Sequence, residues 1–265
     1  MTTTISANES TVRVGENDVQ MFSGGSGPPL LYLHGAGGNA GWQAFHESLA
    51  QTHTVYAPSQ PGFNGTARPR WISTINDLAH FNLEMVQQLG LTQYILVGHS
   101  MGGWVAAEMA AMGQENLKGL VLIDAVGIRP KQSEIAEIFM VSAQTRAGLR
   151  FHDTSQVPNY AELSREMTPE ETNTDHSNRE MASRLCWKPY MYNPSLPFYL
   201  TKVKSPTLII WGKQDAIVPA ECADLYHQVL SNSTLKVIDN CGHSPQVEKP
   251  QEFQAAISGF MSGLR

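Results

Sequence analysis

The chain has 265 residues, enough for one large domain or for a core with a small insert. Its 18 basic and 24 acidic side chains leave a net charge of −6, so it has no electrostatic reason to seek DNA, RNA or an anionic membrane surface. Apolar residues make up 42% of it, yet no run approaches the ~18 apolar residues of a membrane span, and the polar start Met1 to Asn8 lacks the regions of a signal peptide. Three widely spaced cysteines, Cys186, Cys222 and Cys241, form neither a disulfide framework nor a C-x-x-C pair. A soluble, cytoplasmic protein with no nucleic-acid partner and no membrane span is expected; the sequence is silent on oligomeric state.

The chain opens on an expected hairpin, Thr11 to Val14 and Val19 to Phe22, around the turn Gly15-Glu16-Asn17-Asp18. A Gly/Pro stretch, Gly24 to Pro29, follows. Short apolar runs then alternate with helical patterns. Leu30 to Leu33, Thr54 to Ala57, Tyr94 to Val97, Leu120 to Ile123, Leu208 to Trp211 and Leu235 to Ile238 are predicted strands. Ile75, Leu78, Phe81, Met85 and Leu89 recur at helical spacing, and Gly103 to Met112 reads as a helix. Pro219 opens another that carries Leu225 and Val229, and Pro250 opens a last one with Phe253, Ile257, Phe260 and Leu264 on one face. This alternation predicts a mostly parallel sheet covered on both sides.

One segment breaks it. Residues 128–201 are polar and helical in pattern, with a capping-box start at Thr168-Pro169-Glu170-Glu171 and an aromatic, Pro-rich end from Trp187 to Tyr199. It is too long for a simple loop. We expect a helical cap, or lid, inserted between two strands of a core made of residues 1–127 and 202–265.

Gly98-His99-Ser100-Met101-Gly102 matches G-x-S-x-G. The pattern alone is weak, but here it follows a predicted strand and opens a predicted helix, the setting in which a serine is presented on a sharp turn. Side chains two residues either side of such a serine would collide, and both positions are Gly. A hydroxyl is a poor nucleophile without a base and an acid that orients the base. The base expected is His243, in Asn240-Cys241-Gly242-His243-Ser244-Pro245 just past the last strand. The acid expected is Asp215, after the strand Leu208 to Trp211; Asp124, after Leu120 to Ile123, is its rival. Leu33-His34-Gly35-Ala36-Gly37-Gly38 offers free backbone N–H groups for an oxyanion, from Ala36 or else Gly37, with the Met101 N–H as second donor. The loop carries no G-x-G-x-x-G and no Walker-type Gly-Lys-Ser/Thr, which argues against phosphate binding.

With these motifs in this order, joined by Pro61-Gly62-Phe63, the chain from Leu30 to Leu264 resembles the α/β-hydrolase superfamily, in its lid-bearing, serine esterase-like group. The resemblance implies the α/β-hydrolase fold: an eight-stranded, mostly parallel sheet flanked by helices, with a helical lid between strands 6 and 7 and no cofactor or metal. The order Ser100, Asp215, His243 is typical of the group. Members of the superfamily that break carbon–halogen or epoxide bonds use an Asp nucleophile, which Ser100 argues against. Carbon–carbon hydrolases of ring-cleavage pathways often have Asn before the nucleophile and Trp after the catalytic His; this chain has His99 and Ser244. In related proteins the segment before Pro61-Gly62 usually carries an Asp; here it reads Ala57-Pro58-Ser59-Gln60.

The expected activity is hydrolysis of small to medium apolar or aromatic carboxylic esters through an acyl-enzyme. Alternatives that use the same residues are carbon–carbon hydrolysis, lactone hydrolysis and a cofactor-free haloperoxidase-like side activity. A non-enzymatic small-molecule receptor on the same fold is the alternative from another class. Trp187, Tyr190, Met191, Tyr192, Phe198 and Tyr199 are expected either to line the substrate pocket or to pack lid against core.

Overall fold

A computed structural model describes residues 4–264. In chain order its elements are β1 (Asn8–Val14), β2 (Asn17–Gly24), β3 (Pro29–Leu33), α1 (Ala44–Ala50), β4 (Thr54–Pro58), α2 (Ile75–Gln88), β5 (Tyr94–His99), α3 (Met101–Met112) and β6 (Leu117–Ile123). There follow α4 (Ala143–Arg150), a 3₁₀ turn (Thr154–Gln156), α5 (Tyr160–Leu163), α6 (Pro169–Cys186) and α7 (Leu196–Leu200). The chain then returns through β7 (Thr207–Gly212), α8 (Glu221–Val229), β8 (Ser233–Ile238), α9 (Pro245–Glu248) and α10 (Pro250–Gly263).

The strands form one eight-stranded sheet in the order β1-β2-β4-β3-β5-β6-β7-β8. The β1–β2 and β2–β4 pairs are antiparallel and the rest are parallel. This is the α/β-hydrolase fold that the resemblance implies, with the mostly parallel sheet that the alternation of elements predicts. The central strands are buried on both faces, which is why their sequences are continuous apolar runs with no alternation. Leu31, Leu33, Leu96, Leu122 and Trp211 pack on the α2–α3–α8 side; Leu30, Ile95, Val97, Val121 and Ile210 pack on the α1–α10 side.

Local signals set the helix starts. Thr74 and Asp77 form a reciprocal capping box at α2, and Thr168 and Glu171 form one at α6, with Pro169 at the first helical position. Between β6 and β7 lie only helices and loops, as the sequence pattern of residues 128–201 predicts.

Four details differ from the sequence reading. Helix α3 begins at Met101, two residues early, because the turn at Ser100 leads directly into helical backbone. Helix α1 is short and carries no strong periodicity, so it escapes a pattern search. Strand β8 is an edge, and of its residues Ile238 alone is fully buried. Helix α8 buries Cys222, Ala223 and Tyr226 more deeply than Leu225 and Val229.

Phe253 of α10 is 1% exposed and meets Phe45 of α1 edge to face, with ring centroids 6.4 Å apart. Replacing it by Ala removes the ring and leaves a cavity between α10 and the sheet. Phe253→Ala is expected to lower unfolding stability by about 3–5 kcal/mol, read as a lower urea midpoint with an unchanged denaturant slope.

Candidate active site

Strand β5 ends at His99, and Ser100 then adopts φ 55° and ψ −118°, a sparsely populated backbone region for a residue with a side chain. The turn is held by hydrogen bonds on both sides. The Ser100 N–H donates to the Ile123 carbonyl (2.8 Å), and the Ser100 carbonyl accepts from Gly103 (3.0 Å). The flanking glycines are required by close approach. A Cβ on Gly98 would lie 2.3 Å from the Gly102 carbonyl oxygen, and one on Gly102 would lie 2.2 Å from that of Leu33.

His243 sits in the loop after β8. Its Nε2 is 2.9 Å from Ser100 Oγ and its Nδ1 is 2.7 Å from Asp215 Oδ2. The three side chains therefore form one hydrogen-bonded line, and all three are buried. Asp215 Oδ1 also accepts the N–H groups of Ile217 (2.7 Å) and Val218 (2.9 Å), which fixes the carboxylate beneath the imidazole. In this arrangement the Nδ1–H donates to Asp215 and Nε2 is left to accept the Ser100 proton, which is the geometry of general-base activation of a hydroxyl. Asp124 lies beside Asp215 rather than beneath the imidazole; its Oδ1 accepts from the Gly212 N–H (2.9 Å).

The Gly-rich loop after β3 lies against the same serine. A Cβ on Gly35 would come within 3.2 Å of Ser100 Cβ. Neither Ala36 nor Gly37 donates its N–H to an acceptor among the described residues, and Met101, first in α3, has an N–H with no intrahelical acceptor. The structure thus gathers Ser100, His243, Asp215, Ala36 and Met101 at the carboxyl ends of β3, β5, β7 and β8.

Supporting contacts come from positions that the sequence does not flag. Glu248, 2% exposed, accepts through Oε1 from His152 and Asp153 N–H (both 2.9 Å) and through Oε2 from Gly242 N–H (2.6 Å). The His243 N–H donates to the Arg150 carbonyl (2.8 Å), and His99 Nε2 donates to the His243 carbonyl (2.7 Å). On the other side, Asn178 of α6 donates to the Gly37 carbonyl (2.9 Å) and accepts from Asn64 N–H (2.8 Å). The partners of these side chains are scattered across the sequence, so no local pattern marks them. In the segment that lacks the usual Asp, Gln60 makes a neutral network. Its N–H donates to His34 Nε2 (3.0 Å), its amide donates to the His34 carbonyl (3.2 Å), and its Oε1 accepts from Asn82 (3.2 Å).

The aromatic end of the insert divides. Phe139, Trp187 and Tyr190 cluster with ring centroids 5.9–6.3 Å apart, and the Tyr190 hydroxyl bonds the 136–138 backbone. Met191 is buried, whereas Phe198 and Tyr199 are exposed on α7, which packs through Leu196 and Leu200. Among the described residues, Asp124, Asp215 and His243 are the sole grouping with donor atoms close enough to share a metal ion, within 4.8 Å of one another. Both imidazole nitrogens already make short hydrogen bonds, so an ion there would have to break the line to Ser100. The three cysteines are free and buried, and no described helix is long and apolar enough to cross a membrane.

A serine, a histidine and a carboxylate in line at the carboxyl edge of a parallel sheet define a hydrolase of the α/β class. The chain belongs to the alpha/beta hydrolase fold family, whose profile matches residues 28–250. It is similar to a 2-hydroxy-6-oxo-6-(2'-aminophenyl)hexa-2,4-dienoic acid hydrolase of Metapseudomonas resinovorans, 25% identical and aligned over 96% of this chain and 91% of that one. It is also similar to the monoacylglycerol lipase ABHD6 of Mus musculus, 26% identical over 91% of this chain and 77% of that protein. Among solved structures, a membrane phospholipase A described as a bacterial virulence factor matches with TM-score 0.85 and 28% identity, covering 98% of this chain and 87% of that one.

Two tests follow from these contacts. Removing the Glu248 carboxylate leaves three backbone donors without an acceptor and frees the His243 loop from residues 152–153. Glu248→Ala is expected to lower stability by about 2–5 kcal/mol, measured by chemical denaturation, and to weaken reaction of Ser100 with an organophosphonate. Burial holds His34 down to about 4 and His46 down to about 3. A depressed histidine contributes stability above its unfolded value, and that stability is lost as pH falls through the window between about 6.5 and the folded values. The denaturation midpoint is therefore expected to fall between about pH 6.5 and 4, and replacing His34 with Gln is expected to flatten that fall.

Proposed function

We propose that this protein is a serine hydrolase that cleaves carboxylic esters through an acyl-enzyme. The observation that carries this reading is the Ser100–His243–Asp215 line, with hydrogen bonds of 2.9 Å and 2.7 Å at a strained strand-to-helix turn. Ser100 Oγ attacks the ester carbonyl while His243 Nε2 takes its proton. The Ala36 and Met101 N–H groups hold the oxyanion. His243 then protonates the leaving alcohol, and water, activated by the same imidazole, releases the acid. Asp215 holds the Nδ1–H tautomer and balances the imidazolium charge. Residues 128–201 act as the lid, and the substrate is a small to medium ester with an apolar or aromatic part. Two relatives named as lipases, of monoacylglycerol and of phospholipid, support the ester reading.

Carbon–carbon hydrolysis is the second reading. It is favoured by the likeness to the dienoic acid hydrolase of Metapseudomonas resinovorans, and it would use the same three side chains. A graded series of p-nitrophenyl and glycerol esters beside a vinylogous 1,5-diketone acid separates the two. Turnover of esters with none of the diketone is the expected result; the reverse would favour the second reading.

Ser100→Ala is expected to lower kcat by at least about 10⁴-fold with an unchanged denaturation midpoint. Near-wild-type turnover by that variant would refute the mechanism. An organophosphonate is expected to label Ser100, with labelling lost in His243→Ala.

A further inference from the structure

Asp124 takes no part in the mechanism above, yet it occupies the most protected position around it. It is fully buried, at the end of β6, with a positive φ of 43°. Its N–H donates to the Ile210 carbonyl (3.1 Å) and its Oδ1 accepts from the Gly212 N–H (2.9 Å). Its Oδ2 is buried and meets no donor at all. Ligand atoms of Asp215 and His243 lie within 4.8 Å of its carboxylate and of each other.

The two carboxyl groups differ in what surrounds them. Asp215 accepts three N–H donors: His243 Nδ1, Ile217 and Val218. Asp124 accepts one. The other titratable groups around Asp124 are Glu248, Cys241 and His243, from the segment after β8, and no ion pair to Asp124 forms among the described residues. Two carboxylates within 4.8 Å in a dry interior do not both ionise readily, and the proton goes to the one with fewer donors. A protonated Oδ2 turns a clash of two acceptors into a donor–acceptor pair.

We propose that Asp124 is a positioning residue: as a neutral carboxylic acid it donates from Oδ2 to the Asp215 carboxylate and holds that single negative charge in line with His243. Burial and the charge of Asp215 raise the Asp124 carboxyl well above the ordinary range, in agreement with a proton retained at neutral pH. The inference rests on the serine-hydrolase reading for its catalytic consequence, while the protonation state stands on the geometry alone.

Asparagine mimics a neutral carboxylic acid, since its Oδ1 accepts from Gly212 and its amide donates toward Asp215. Asp124→Ala is expected to lower kcat for ester hydrolysis about 10- to 100-fold with KM little changed, and Asp124→Asn to recover most of that loss. The acid limb of kcat/KM, which reports the free His243 imidazole, is expected to stay in place in Asp124→Asn. If Asp124 carried a negative charge, removing it would make His243 harder to protonate and move that limb to lower pH. A displacement of about one unit or more would overturn the proposal, as would full activity in Asp124→Ala. Infrared difference spectroscopy supplies the readout that needs no substrate. A protonated-carboxyl C=O stretch at neutral pH, lost in Asp124→Asn, is expected, and its absence from the wild type would overturn the proposal. A wild type that turns over no ester would count against the serine-esterase reading and leave the infrared result to stand by itself.

Discussion

The backbone at Ser100 is the constraint on which the rest of the site depends. A residue with a side chain held at φ 55° and ψ −118° is not stable in isolation, and the surrounding structure over-determines it. Three glycines make this possible by absence. Gly98 and Gly102 let β5, α3 and β3 approach closer than any Cβ would allow, and Gly35 brings the loop after β3 against Ser100 itself. At β7 the same device recurs: a Cβ on Gly212 would lie 1.9 Å from the Gly242 carbonyl oxygen, so the acid's loop and the base's loop touch backbone to backbone. The spacing of the hydrogen-bonded line is set by these contacts between main chains. The side chains then need few rotamer choices to meet.

This explains what could be read from the sequence. A close approach leaves glycines at fixed offsets, and a parallel sheet buried on both faces leaves continuous apolar runs; both are local patterns. Ser100 and Asp215 each stand just past such a run and His243 follows the edge strand β8, so their convergence at one edge of the sheet follows from topology. Asp124 directly follows β6 and Asp215 stands three residues past the adjacent β7, and the sequence reading favours Asp215 with Asp124 as its rival. The structure separates the two through donors: the loop after β7 turns two N–H groups onto Asp215, whereas Asp124 receives one. Glu248 and Asn178 left no readable trace, because their partners lie from 6 to 141 residues away in the chain. A buried polar side chain that satisfies distant backbone groups has a physical role but no period and no motif.

These unmarked contacts tie the insert to both halves of the site. Asn178 of α6 grips Gly37 and Asn64 on the oxyanion side, and the 150–153 backbone grips Glu248 and the His243 loop on the base side. Moved as one rigid body, residues 128–201 would therefore loosen the His243 loop and the Gly35–Gly38 loop together. Between the two grips in the chain lies α5, which buries no residue; α4, which ends at the Arg150 anchor, buries none either and is held to α6 by the Arg146–Asp175 pair at 2.7 Å. Ser100 is 7% exposed, so a substrate must displace something to reach it. On the hydrolase reading, yielding confined to α5 would leave both anchors in place, whereas yielding of α4 would carry with it the Arg150 carbonyl that holds the His243 N–H.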